Sequence, residues 1–350
     1  MYARRCRRRQ CRSSRKNAFA GAVRHRLSAV ISAFRRSPLV ALRELTLVIP
    51  GLLWPAESVA AVSDDLALPA LSALLATESI ARQPVRPLEH LLAGAWGLDP
   101  ARAPCAALRL AGSGGAPGRD VWMCADPAHL RFARESLVLA DNHELMVTDD
   151  EAAAIVATLN ETFADVGAFS VGAAGEWYLR LAAMPEIETH PVSAVLGRNI
   201  ETWLPAGPQA KPWRRLINEL QMLLHGHAAN AAREATGTPT INTLWLWGQG
   251  ALDDAVPRRF DAVLAHHALA RGLAVCSGGT AAPLPPRYAE PGAGHTLALI
   301  EHLDYAALTQ NAAAWRAGLM EVEADWLAPA LHALKSGALS RLRLVLTGAE

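Results

Sequence analysis

The sequence has few lysines, no clustered cysteines and no long apolar runs. The last two of these shortages each exclude a class of protein. Only three of the 34 basic residues are lysine, so the positive charge is almost wholly arginine. No uninterrupted apolar run approaches the ~20 residues of a membrane-spanning helix, which predicts a soluble protein with no membrane partner. The cysteines form no CxxC pair and no Cys/His cluster with zinc spacing, which predicts a reducing, cytoplasmic location. They stand at positions 6, 11, 105, 124 and 276.

Acidic residues are absent from the first 36 positions, which hold twelve of the 34 Lys and Arg residues. The remaining chain has 22 basic and 33 acidic residues, a net charge of about −11. A basic arm can bind nucleic acid or an anionic surface, but a short arm before the first strand is at least as often a disordered tail or a mis-assigned translation start. We predict that residues 1–43 form a disordered arm, and we expect no nucleic-acid partner except through it.

The whole chain is rich enough in apolar residues to bury a large core, with 51% hydrophobic residues and a mean hydropathy of +0.12. Leu45 to Ile49 is a compact apolar run that ends at Pro50-Gly51, which predicts a buried first strand. Further patterns predict helices at 87–96, 149–163, 213–227, 260–269 and 312–334, and strands near 121–132 and at 177–181, 243–247, 273–276, 296–300 and 342–346.

Strands that alternate with helices predict an α/β fold with a mostly parallel sheet covered by helices on both faces. The patterns also suggest a smaller inserted α+β region. We divide the chain into residues 44–120 and 211–350 for the core and 121–210 for the insertion. Three local predictions accompany this division: a turn at Asp126-Pro127, a cap at Asp149 or Asp150, and a cap at Asp64-Asp65 before the helix that contains Leu71 and Leu74.

The segment from His227 to Gly250, HAANAAREATGTPTINTLWLWGQG, resembles the archaeal-type cofactor-independent phosphoglycerate mutases of the alkaline phosphatase superfamily. That family carries an HPxNxxRxxxG element followed by an Asn, an apolar strand and a WGxG turn. Ala228 replaces the family's proline. The resemblance implies an alkaline-phosphatase-like fold. The matching residues are His227, Asn230, Arg233, Gly237, Asn242, Trp247, Gly248 and Gly250.

A wider resemblance, from Leu45 onward, is to the bacterial RpfE-type regulatory proteins. The matching stretches are LVIPGLLWP from Leu47, WxxADPxHL from Trp122, WYLRL from Trp177 and INELQMLLHGH from Ile217. This resemblance implies a regulatory role and carries no mechanism with it.

The resemblance to the mutases implies two divalent metals, held by Asp and His beside a Ser or Thr nucleophile. The first Asp ligand follows the first strand, and that place holds Pro50, which cannot bind a cation. An Asp-His pair near the chain end is not found after Thr347. His302 and Asp304 match part of a third element and are weak metal candidates, but its second histidine is missing. We assign no catalytic residue and predict no cofactor.

Seven residues are candidates for binding a small phosphorylated or carboxylate metabolite. Arg233 offers a planar fork of donors to such an anion, and Asn230 and Asn242 add neutral ones. The alternative is structural, with Asn230 capping a helix, Arg233 pairing with Glu234 or another surface acid, and Asn242 holding a turn. The other candidates are Asn218, Gln221 and His225 on one helix face, and Trp247, which either borders a cleft or lies in a buried strand.

Three functions follow from these residues. The first is a regulatory or noncatalytic protein on a degenerate phosphoglycerate-mutase-like fold that binds a small anion. The second is an active phosphoglycerate mutase or related phosphoryl-transfer enzyme, which requires Mn, Zn or Mg and relocated ligands. The third is a protein-interaction module, with a partner that the sequence does not identify; a large exposed apolar or Trp-rich patch is expected for it.

Overall fold

The computed structural model describes residues 27–34, 42–76, 80–133, 136–140 and 144–348. The segment 1–26, with Cys6 and Cys11, lies outside them, as do the last two residues. The described chain divides into two compact units. The first unit takes the residues up to Arg86, Arg258–His267 and the residues from Gly278 on, and the second takes Pro87–Pro257 and Ala268–Ser277.

Thirteen strands occur among the described residues. In chain order they are β1 (Leu27–Phe34), β2 (Arg43–Leu53), β3 (Ile80–Pro84), β4 (Val121–Ala128), β5 (Leu130–Ala133), β6 (Ser136–Leu139), β7 (Ala168–Ala173), β8 (Glu176–Leu181), β9 (Thr243–Gly250), β10 (Ala262–Leu264), β11 (Thr280–Ala282), β12 (Gly294–Leu299) and β13 (Arg341–Gly348).

The same residues form twelve α-helices, a 3₁₀ turn at Ile200–Trp203 and a π-helical segment at Glu323–Leu327. The α-helices are α1 (Val59–Ser63), α2 (Pro69–Leu75), α3 (Leu88–Trp96), α4 (Cys105–Gly112), α5 (Asp149–Thr162), α6 (Val192–Val195), α7 (Ala210–His225), α8 (Ala228–Ala235), α9 (Ala268–Cys276), α10 (Asp304–Leu308), α11 (Ala312–Val322) and α12 (Ala328–Ser336). No described helix has both the length and the apolar character needed to cross a bilayer.

The first unit is built on a seven-stranded sheet in the order β11-β10-β12-β2-β13-β1-β3. The five strands from β11 to β13 are parallel, and β1 and β3 add antiparallel strands at one edge. The predicted mostly parallel α/β sheet is therefore confirmed. β2 is buried from Leu45 to its end, as predicted for the first strand. Residues 27–34, which the sequence placed in the disordered arm, instead pair with β13 and β3.

Helices α2, α11 and α12 pack on this sheet through a core that includes Leu47, Ile49 and Leu344. The start of α2 differs from the prediction, because Leu68 takes the cap position without a side-chain hydrogen bond. The buried Glu323 carboxylate instead accepts hydrogen bonds from the first backbone N–H groups of α2. Asp65, predicted as part of the cap, forms an ion pair with Arg316 in α11 at 2.7 Å.

The second unit contains an antiparallel sheet in the order β7-β8-β4-β9. The prediction that β9 belongs to the parallel core was wrong, since β9 pairs antiparallel with β4. The boundary drawn at residue 210 differs from the structure for this reason: β9 and the helices before it belong to this unit. Helices α5 and α7 share a core with the sheet. Thr148, rather than Asp149 or Asp150, caps α5 and forms a capping box with Glu151.

Helices α4 and α9 approach each other backbone to backbone within the second unit. A β-carbon at Gly112 would collide with the Ala268 carbonyl, and one at Gly272 would collide with the Leu108 carbonyl. Both glycines are therefore required by the packing of these helices. The sequence predicted the wrong type of element in this region. The predicted helix at 260–269 contains the strand β10, and the predicted strand at 273–276 is the end of the helix α9.

Candidate functional site

The carboxyl ends of the parallel strands meet at one edge of the first sheet, where open α/β folds place their sites. At this edge β2 continues through Pro50, which is buried and has no ligand atom on its ring. Gly51 has φ of +71°, and a β-carbon there would lie 2.5 Å from the Leu303 carbonyl oxygen. The Trp315 indole N–H donates to the Gly51 carbonyl at 2.8 Å. Backbone and indole packing therefore fill the place of the implied first metal ligand.

The two weak metal candidates lie near the end of the neighbouring strand β12. His302 is exposed in a turn, and Asp304 is half-buried as the first residue of α10. Among the residues that the structure describes, no three His, Cys, Asp or Glu side chains form a group that could hold a metal ion. The described residues thus do not fit the two-metal site that the resemblance implies.

Asn230 and Arg233, the centre of the predicted anion site, are both buried in α8. The Asn230 amide donates to the Leu224 and Ile241 carbonyls at 2.7 and 2.8 Å, and its oxygen accepts from the Ile241 N–H at 2.8 Å. Arg233 donates to both Glu151 carboxylate oxygens at 2.8 Å. It also donates to the carbonyls of Pro239 and Leu145. Both side chains therefore use their donors inside the protein.

The remaining predicted ligand residues are spread over α7 and the neighbourhood of β9. Asn242 holds the backbone of Leu130 by a pair of hydrogen bonds at 2.7 and 2.8 Å, which matches the structural alternative. Gln221 lies 3.5 Å from the Thr243 hydroxyl. Asn218 and His225 are exposed on α7. The structure thus brings Gln221, Asn230 and Asn242 together around the entry to β9, each with a partner in the protein.

Trp247 leads to a cluster that the sequence did not predict. Its indole N–H donates to an Asp126 carboxylate oxygen at 2.8 Å. Asp126 lies on β4 and forms a bidentate ion pair with Arg109 on α4, with N···O distances of 2.6 and 2.9 Å. The guanidinium also donates to the Tyr178 hydroxyl at 3.2 Å and the Trp177 carbonyl at 3.1 Å. Arg109 is 7% exposed and Asp126 is 3% exposed, so the pair is buried.

The surroundings of this pair explain the ionisation of its neighbours. Burial alone would lower the pKa of Arg109, but the charge of Asp126 raises it above its ordinary value. Burial raises the pKa of the Cys105 thiol to about 12 and that of Cys124 well above its usual range. Burial also raises the pKa of Tyr178. Both thiols and the phenol are therefore neutral near pH 7, and neither cysteine has the thiolate form of a nucleophile.

The cluster ties α4 to the sheet and fixes Trp247. The guanidinium lies over the rings of Tyr178 and Trp247, at 4.8 and 5.5 Å from their centroids. A small cavity of about 20 Å³ lies beside the cluster and has room for roughly one water molecule. Its lining includes His90, Cys105, Thr189, Trp247 and Gln249. The interpretation of Trp247 as part of a buried strand is confirmed, since it is 4% exposed.

The sequence signal for the pair was present but was misread. Asp126-Pro127 predicts a turn, yet β4 runs through both residues to Ala128. β8 pairs with β4 only as far as Cys124, so Pro127 lies beyond the part of β4 that is paired on both sides. An Asp inside an apolar strand is a buried charge that needs a cation. That rule points to a partner, but it does not select Arg109 from the other arginines.

No family model matches the chain. The chain is similar to the 2,3-bisphosphoglycerate-independent phosphoglycerate mutase of Methanosarcina barkeri, with 31% identity over 98 residues, 27% of this chain and 25% of the relative. The enzyme of Methanothrix thermoacetophila is 31% identical over 101 residues, 27% of this chain and 26% of the relative. The chain thus spans about a quarter of the length of these curated relatives.

Two solved structures are also similar. The PH0037 protein of Pyrococcus horikoshii has a TM-score of 0.48 and 15% identity, over 84% of this chain and 79% of that one. A cofactor-independent phosphoglycerate mutase of Thermoplasma acidophilum has a TM-score of 0.33 and 13% identity, over 81% of this chain and 84% of that one. The curated relatives are in line with a phosphoglycerate-mutase-like fold. The resemblance to RpfE-type proteins stays a prediction.

Proposed function

We propose that this chain is a noncatalytic, regulatory protein of the RpfE type, built on a phosphoglycerate-mutase-like fold. The observation that carries the proposal is the packing at Pro50 and Gly51. The resemblance implies a carboxylate ligand at the end of the first strand, and the side chain there is a buried pyrrolidine ring. The next position admits no side chain, because Gly51 lies against the backbone of Leu303 and Asp304.

The charge of a two-metal site supports the same proposal. Two divalent cations bring four positive charges, which such sites balance with several carboxylates at bonding distance. At this edge the described chain offers Asp304 and the exposed His302, without a third ligand beside them. In the transition state of such an enzyme, both metals or equivalent cations stabilise the charge of the transferred phosphoryl group. We therefore expect no phosphoryl transfer by this chain.

The second candidate function is an active phosphoglycerate mutase that uses Mn, Zn or Mg. It is favoured by the 31% identity to curated mutases, although this covers about a quarter of either chain. The metal would then be held by residues other than those the resemblance points to. These two functions differ in metal binding and in turnover, and both can be measured on the purified protein.

The test measures bound metal by mass spectrometry after incubation with Mn, Zn or Mg, and the conversion of 3-phosphoglycerate to 2-phosphoglycerate. The M. barkeri relative serves as the positive control. We expect no stoichiometric metal and no conversion. Two bound metals and turnover would overturn the proposal. A Pro50→Asp variant assayed in parallel shows whether a carboxylate at this position is enough to recruit a metal.

A small phosphorylated or carboxylate metabolite remains the predicted effector of such a regulatory protein. The donors of Asn230, Arg233 and Asn242 are used within the protein, so the position of its site stays open in this proposal. Isothermal titration with 3-phosphoglycerate tests it on the unmodified chain. Heat of binding that survives in a Pro50→Asp variant would support an effector site away from the sheet edge, whereas a titration without heat would argue against this effector.

A further inference from the structure

The amino ends of the parallel strands in the first unit carry a polar cluster around His295, the second residue of β12. The Nε2 atom of His295 lies 2.8 Å from the hydroxyl of Thr46 on β2, and Thr46 is only 3% exposed. The His295 ring is half-buried and packs on the Phe260 ring, with 4.5 Å between the centroids. The imidazole therefore satisfies a hydroxyl that is shielded from water.

Asp261, the residue before β10, binds the main chain of His295 on both sides. The Asp261 carboxylate accepts a hydrogen bond from the His295 N–H at 2.9 Å, and the Asp261 N–H donates to the His295 carbonyl at 2.8 Å. The same carboxylate accepts from Arg258 at 2.9 Å. The start of β12 is thus held by its main chain to the turn at Asp261 and by the His295 ring to β2.

Four charged side chains act on the ring, two of each sign. Burial is the largest influence and lowers the pKa of His295, and the positive charges of Arg343 and Arg341 on β13 lower it further. Glu44 and Asp261 act in the opposite direction, and the net result is a pKa below the ordinary value of 6.5. A hydrogen bond from the His295 N–H lowers the pKa of Asp261, so this carboxylate stays ionised while the ring titrates.

A protonated imidazole is less stable in this cluster than in water. Because the pKa of His295 is lower in the folded unit than in solvent, the ring binds a proton more tightly once it has left the cluster. The closed arrangement is therefore fully favoured above about pH 6.5, and it loses stability as the pH falls below that value. When the ring turns outward, the buried Thr46 hydroxyl loses its partner, which loosens the contact between β12 and β2.

We propose that His295 is a pH-sensitive latch at the amino ends of the first sheet. At neutral pH the ring holds the start of β12 against Thr46 of β2. In mildly acidic solution the ring takes up a proton and leaves the cluster, so the start of β12 opens and the turn at Asp261 loosens with it. The latch lies at the opposite ends of the strands from Pro50 and Gly51, and it does not depend on whether the protein is catalytic.

Hydrogen exchange followed by mass spectrometry tests the latch on the full chain. Peptides that cover 258–264 and 292–299 are compared near pH 7.5 and near pH 5.5, after correction for the intrinsic effect of pH on exchange. We expect the corrected exchange to be about fivefold faster at the lower pH. His295→Gln cannot titrate but can still donate to Thr46, so the pH effect should be lost. His266→Gln should keep it and is the matched control, since His266 is exposed after β10 in the same unit.

The neighbouring charges distinguish this latch from general sensitivity to acid. Arg343→Gln removes a positive charge that acts on the ring, so the rise in exchange should move to a higher pH. Glu44→Gln removes a negative charge, so the rise should move to a lower pH. Equal corrected exchange at both pH values in the native chain would overturn the proposal. A pH effect that persists in His295→Gln, or that shifts in neither charge variant, would also overturn it. Circular dichroism near pH 7.5 checks that each variant is folded.

Discussion

Replacing Asp126 by asparagine would leave the Arg109 guanidinium buried without a counter-charge. In the native unit this guanidinium makes two hydrogen bonds to Asp126, one to Tyr178 and one to the Trp177 carbonyl. Removing one partner of a buried ion pair costs about 3–5 kcal/mol, mainly because the remaining charge stays buried. We therefore expect Asp126→Asn to lower the free energy of unfolding by that amount.

The converse change, Arg109→Met, keeps much of the side-chain volume and removes the cation. It leaves the Asp126 carboxylate with only the Trp247 indole donor among the hydrogen bonds described above. The Tyr178 hydroxyl and the Trp177 carbonyl also lose a partner, at about 1–3 kcal/mol for each buried group that stays unsatisfied. The destabilisation should again be about 3–5 kcal/mol. Because the two residues are in contact, the double variant should be less destabilised than the sum of the singles by about 2–3 kcal/mol.

Urea unfolding followed by far-ultraviolet circular dichroism measures all three variants. Arg180→Met is the control, because Arg180 is exposed and pairs with Asp120 at the surface, where such pairs contribute little. If Asp126→Asn and Arg109→Met each lowered the free energy of unfolding by less than about 1 kcal/mol, the two side chains would not form a strongly stabilised buried pair. Additive effects in the double variant would show that the two residues do not act as a pair.

Two further predictions concern packing and pH. Gly272→Ala should destabilise the second unit by about 1–3 kcal/mol because α4 and α9 must separate, whereas Gly175→Ala, with nothing within 4 Å of its β-carbon, should be close to neutral in the same urea assay. Partial burial raises the pKa of Glu151, but hydrogen bonds from the Thr148 N–H and from Arg233 lower it by more. The net effect is a pKa below the ordinary value for Glu. A lowered pKa in the folded state gives stability that is present above about pH 4.5 and is lost as the pH falls through the folded-state value. Glu151→Gln should therefore be less stable than the native chain at pH 7, and the difference in urea midpoint should shrink as the pH is lowered below about 4.5.

Local patterns predicted the elements whose determinants lie within a few residues. The apolar run from Leu45 to Ile49 gave β2, and the helical spacing of Ile155 and Leu159 gave α5. The cap of α5 was missed because three acidic residues follow Thr148, and each is favourable at a helix start. At α9 the run LAVC fits a strand as well as a buried helix, and periodicity alone does not separate the two.

The Arg109–Asp126 cluster shows what no local pattern could supply. Its members come from α4, β4, β8 and β9, which are far apart in sequence and are brought together by the tertiary fold. A buried Asp implies a cation somewhere, but 31 arginines were available as partners. The same limit applied to β9: its apolar pattern predicted a strand, yet only its pairing with β4 shows which sheet it joins.

In the segment that resembles the phosphoglycerate mutases, the matching polar residues form hydrogen bonds within the protein. Asn230 holds the backbone at Leu224 and Ile241, Arg233 holds Leu145, Pro239 and Glu151, and Asn242 holds Leu130. These are bonds that position α8 and the start of β9. A chain can therefore keep this motif for its fold while a proline stands where the first metal ligand is implied. Similarity in this segment argues for the architecture, and activity must be judged at the sheet edge, where Pro50 and Gly51 lie.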